Sequence, residues 1–116
     1  MQLLFNLQES IGNFKDRNCF YIQGQFYTYE AFAKSVSSIR KSIEKNTSHS
    51  ENIIGIIAND DLETYASIVA CWFEGKAYVP ISPETPIDRN QKIIDQALIK
   101  TILNSGEPLL FNEIKL

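Results

Sequence analysis

Hydrophobic and polar positions along this chain switch between two periods. In "CFYIQGQFYTY", aromatic and β-branched residues flank Gln23-Gly24-Gln25, the composition of a hairpin, and predict short strands at about residues 19–23 and 26–28. From Tyr29 the period becomes helical. Tyr29, Phe32, Ala33, Val36, Ile39 and Ile43 form one stripe, Glu30, Lys34, Lys41 and Lys45 lie opposite, and Thr28 precedes them as a cap. The prediction is an amphipathic helix of about four turns. The polar run "NTSHSEN" ends it. "NIIGIIA" follows as an apolar run bounded by turn formers, which reads as a central parallel strand covered on both faces.

Asp60 and Glu63 have capping-box spacing in front of "LETYASIVACWFEG", a mostly apolar helix closed by Gly75. The next strand, "AYVPI", also reads as central, with pairing expected to finish near Pro80 because proline cannot donate to a ladder. Pro83 and Pro86 hold the connection extended. Thr85 is expected to cap a third helix, with Pro86 at its first position and Asp88 three residues after the cap. Ile87, Ile93, Ile94, Ala97 and Leu98 should supply its buried face. "KTILN" is a last strand, and the apolar tail "LLFNEIKL" fits no element. Alternating strands and helices imply an α/β fold: a hairpin, then βαβαβ units with a parallel sheet flanked by helices. Residues 1–116 read as one α/β domain without internal repeats.

Composition narrows the function classes. With 44% apolar residues and 22% charged, 116 residues suffice for one core without staples. A net charge of −3 supplies no broad footprint for nucleic acid or anionic lipid. The start "MQLLFNLQES" lacks a basic n-region, and the apolar run from Tyr65 to Phe73 is too short to span a bilayer. Cys19 and Cys71 have no Cys-x-x-Cys partner, as expected of reduced thiols in a cytoplasmic protein, so the sequon at Asn46 is a chance match.

Each candidate for chemistry has a simpler reading. "IIGIIAND" and "NSGEP" lack the glycines, lysine and hydroxyl of phosphate-binding turns, and read as turns. Asp60 and Asp61, with no His or Cys nearby, read as helix caps rather than metal ligands. His49 sits among serines in a polar loop. Lys34, Arg40, Lys41 and Lys45, interleaved with Glu30 and Glu44, form a solvated face. Tyr65, Ile68, Val69, Trp72 and Phe73 read as a core stripe, with Cys71 inert beside them. The Pro-x-x-Pro spacing reads as a rigid connector rather than a polyproline ligand. No catalytic, cofactor-binding or metal residue is assigned.

The segment "ACWFEGKAYVPISPETPIDRNQKIIDQALIKTILNS" resembles the early core of adenylate-forming, AMP-binding enzymes. Gly75, Ala77, Tyr78, Val79, Pro80, Ile81, Pro83, Pro86 and Arg89 match the family's order, and "FYTYEAFAKSVSSIRKSI" is similar to its opening Thr-Tyr-x-x-(Leu/Phe)-Ala helix. The likeness runs from about Tyr21 to Ser105. The Ala-Tyr-Val-Pro form is most like amino-acid adenylation domains and D-alanine:carrier-protein ligases. Ser82, Glu74-Gly75-Lys76 and "ANDDLETY" depart from the usual wording. The resemblance implies that the prolines are scaffold. It also implies a parent reaction in which ATP, with Mg, converts a carboxylate, as of an amino acid, to an acyl-adenylate that then passes to a carrier thiol. The family's Gly/Ser/Thr-rich phosphate loop, Thr-Glu pair, ribose-binding Asp and C-terminal lysine are not found in residues 1–116. The chain therefore reads as an N-terminal segment that is inactive alone, needs no cofactor by itself, works with the remainder of the enzyme or a carrier protein, and self-associates through its uncovered tail. The alternatives are a self-standing non-catalytic α/β interaction module or a fragment of an acyl-CoA synthetase.

Overall fold

A computed structural model describes residues 18–109 and 111–116 of the chain. The opening segment 1–17, the side chains of Asn18 and Cys19, and Leu110 lie outside the described residues, and so do the readings that rest on them.

Strands β1 (Asn18–Ile22) and β2 (Gln25–Thr28) form the expected antiparallel hairpin, with Gln23 and Gly24 both at positive φ in the turn. The Thr28 hydroxyl accepts from Ala31 N at 3.1 Å and starts α1 (Tyr29–Asn46), which buries Phe32, Val36, Ile39 and Ile43. Strand β3 (Ile53–Ile57) follows, then α2 (Leu62–Phe73), β4 (Ala77–Ile81), α3 (Ile87–Gln96), β5 (Ile102–Asn104) and β6 (Glu113–Lys115). The last four strands make one parallel sheet in the order β4-β3-β5-β6. The tail that fitted no element thus contributes a strand.

Alternation along the strands divides the core. Ile54, Ile56 and Leu103 point to the face covered by α1 and α2, while Ile57, Ile81 and Ile102 point to the face covered by α3. Gly55 lies on the α3 face, where a Cβ would meet Ile81 at 2.9 Å and Ile99 and Ile102 at 3.2 Å. Only glycine lets those side chains close over β3.

Several expectations need correction. Among the described residues β4 lies at the edge of the sheet rather than at its centre, and its pairing runs through Pro80 to Ile81. Ala77 N donates to Asn52 O and Ile81 O accepts from Ala58 N, so odd-numbered residues of β4 face β3. Pro80 therefore turns its missing donor outward, where nothing requires one. The cap of α2 is Asp61, not Asp60: its carboxylate accepts from Thr64 N at 2.8 Å, while Asp60 accepts from the Tyr65 hydroxyl at 3.0 Å. Thr85 does not cap α3. Pro86 stands at the cap position without a side-chain bond, and buried Asn90 instead reaches back to Ser82 O at 2.9 Å and Thr85 O at 3.4 Å. Ile87 and Leu98 are exposed, because α3 buries chiefly Ile94. Trp72 and Tyr65, seven residues apart, are exposed on the outer stripe of α2, not core. Arg40 leaves the solvated face: its guanidinium lies 4.9 Å from the Phe73 ring centroid and donates to Glu74 at 3.3 Å.

Candidate functional site

In an open parallel sheet, ligands favour the crevice at the carboxyl ends of two neighbouring strands whose following connections leave in opposite directions. Here those strands are β3 and β5, since the chain leaves β3 toward β4 on one side and β5 toward β6 on the other. The residues at this point are Asn59 and Asp61 after β3, and Asn104, Ser105 and Gly106 at the end of β5.

They bond to one another. Asn59 Nδ2 donates to Asn104 Oδ1 at 3.2 Å and to Ser105 Oγ at 3.3 Å, and the Ser105 hydroxyl donates to Asp61 Oδ2 at 2.6 Å. The other oxygen of Asp61 accepts from Thr64 N and from the Thr64 hydroxyl at 2.7 Å. Gly106 N donates to Asn104 Oδ1 at 2.8 Å, and a Cβ on Gly106 would stand 3.0 Å from Asn59 Oδ1. On the far side, the Glu113 carboxylate accepts from Asn104 Nδ2, from Leu109 N and from Phe111 N at 2.9 Å, and so fastens the loop after β5 to β6. The recess beside it, lined by Asn104, Gly106, Pro108, Phe111, Glu113 and Lys115, holds about 160 Å³. Nucleotide-sized ligands need about 300 Å³ or more. The switch point is thus filled by the chain's own amides, hydroxyl and carboxylates.

The opposite end of the sheet carries a wider groove of about 570 Å³, lined in part by Arg40, Lys41, His49, Glu74 and Lys76. Its basic groups are largely spent on the chain itself. Lys76 Nζ donates to Ser48 O at 3.0 Å and to Glu51 O, and Arg40 is held by Glu74 and Phe73. His49 is exposed there, in the polar loop the sequence assigned to it. Cys71 is buried and free, and burial pushes its thiol up to about 12, with Lys76 pulling weakly the other way. That is the condition of an inert core thiol. Among the described residues no group of three or more His, Cys, Asp or Glu side chains is placed to hold a metal. Likewise no described helix is long and apolar enough to cross a membrane.

Sequence reasoning treated "AND" and "NSGEP" as separate turns, whereas the fold brings Asn59, Asp61, Asn104 and Ser105 together. The available signal was that both follow neighbouring parallel strands. Glu113 was missed because the tail showed no period. The segment carrying the family resemblance forms one scaffold. Gly75, at φ +70°, closes α2 with Gly75 N donating to Trp72 O and Lys76 N to Cys71 O, the paired bonds of a Schellman turn, and the chain enters β4 directly. Pro83 and Pro86 then lead to α3.

Known proteins share this arrangement. The chain is 25% identical over 96 residues to tyrocidine synthase 1 of Brevibacillus parabrevis, which covers 83% of this chain and 9% of that protein. It is 41% identical over 56 residues to the nonribosomal peptide synthetase sidC of Arthroderma benhamiae, covering 48% of this chain and 1% of that protein. The fold matches the N-terminal subdomain of Klebsiella oxytoca NpsA at a TM-score of 0.81 and 16% identity, over 97% of this chain and 30% of that one. It matches the nonribosomal peptide synthetase FmoA3 in its alpha-methyl-L-serine-AMP-bound form at 0.84 and 17% identity, over 99% of this chain and 14% of that one. The chain therefore spans less than a tenth of the length of these curated relatives. The AMP-binding enzyme family matches residues 7–115, nearly the full length, and the chain belongs to that family.

Proposed function

We propose that residues 1–116 are the N-terminal scaffold of an ATP-dependent adenylating ligase that activates an amino acid and passes it as a thioester to a carrier protein, in the cytoplasm. The observation that carries this reading is the family match across residues 7–115. ATP would be a substrate and magnesium a cofactor of the whole enzyme, and the described residues do not fit them. The switch-point crevice is bonded to itself, and its side recess of about 160 Å³ is too small for a nucleotide. Displacement at phosphorus depends on positioned groups that compensate developing charge, and among the described residues Lys115 is the one cation that lines the recess beside that crevice. The contribution of the segment is mechanical. The Gly75 turn, strand β4 and the connection clamped by Asn90 set the angle between sheet and α3.

Two measurements test this. The 116-residue chain alone should show no amino-acid-dependent ATP–pyrophosphate exchange above a no-enzyme control and no saturable ATP binding at millimolar concentration; activity would overturn the scaffold reading. The reading frame past the Leu116 codon should continue into a Gly/Ser/Thr-rich loop ending in Pro-Lys-Gly. A stop codon there would favour a self-standing interaction module instead.

A further inference from the structure

We draw no further inference here: the strongest candidate, the groove of about 570 Å³ between the C-terminal ends of α1 and α2, has its Arg40 and Lys76 already held by Glu74, Ser48 O and Glu51 O, and nothing in the structure shows what covers it or which ligand it would take.

Discussion

The two faces of the parallel sheet are built to different depths. Among the described residues, α1, α2 and the hairpin enclose thirteen buried ones on one face, with Ile43, Ile54 and Ala66 fully enclosed. On the other, ten-residue α3 closes a cluster of five, its own Ile94 included, and leaves Ile87 50% and Leu98 80% exposed. The helix ends repeat the contrast. Both α2 and α3 finish in paired Schellman bonds, but the left-handed position is Gly75 in the first and Leu98, at φ 57°, in the second. A thick face can be assembled from side-chain volume alone. A thin one needs close approach, which is why Gly55 points toward α3 and not toward α1 and α2.

The largest expected effect belongs to the thick face. With its thiol pushed from 9.0 to about 12, Cys71 should react with a thiol reagent at pH 7–8 about a thousandfold more slowly in the native chain than after unfolding. Peptide mapping separates it from Cys19. The folded pKa is raised, so the contribution of the thiol to stability is complete below about pH 9 and is lost as pH rises toward 12. Rapid native labelling at Cys71 would mean the α1–α2 layer opens readily. Next, Ile54→Ala should cost about 3–5 kcal/mol by urea unfolding and Ile94→Ala only about 2 kcal/mol, because neighbours can settle into a cavity on the thin face. Equal losses would erase the distinction.

Gly55→Ala sharpens it from the other side. If Ile81, Ile99 and Ile102 are in close contact over β3, the added methyl should cost about 1–3 kcal/mol. A neutral result would show that the α3 face is loose rather than thin. Leu98→Gly should stabilise the chain by up to about 1 kcal/mol, since a side chain in the left-handed region costs more than the added freedom of glycine when unfolded. A lower unfolding midpoint would mean that exposed Leu98 holds a contact. The smallest effect is that of Tyr65→Phe, a loss of a few tenths of a kcal/mol at neutral pH. The hydrogen bond to Asp60 raises the Tyr65 pKa above 10.0, so this difference should be present below pH 10 and fade above it.

Local chemistry made much of this fold legible. Thr28 capping α1, the helical stripe from Phe32 to Ile43, the buried strand at Ile53–Ile57 and the Gly75 stop all follow from period, composition and backbone preference within a few residues. The cap of α2 was misplaced because Asp60 and Asp61 are both good caps, and Asp61 is the one that also accepts from Ser105, 44 positions along the chain. At α3, Pro86 stands at the cap position without a side-chain bond while Asn90 holds Thr85 O. Trp72 was read as core because helical period reports a stripe but not what lies beyond it.

The sequence by itself therefore determined which segments as far as Asn104 become helix or strand, and which motif marks the family, because these depend on residues within a turn or two of one another; the tail that became β6 carried no such pattern. Tertiary structure alone decided the rest. It set the strand order β4-β3-β5-β6 among the described residues, turned the missing donor of Pro80 away from β3, and joined Asn59, Asp61, Asn104 and Ser105 at the switch point. Strand order is set by which apolar faces close over one another across the whole chain, and no local pattern encodes that sum.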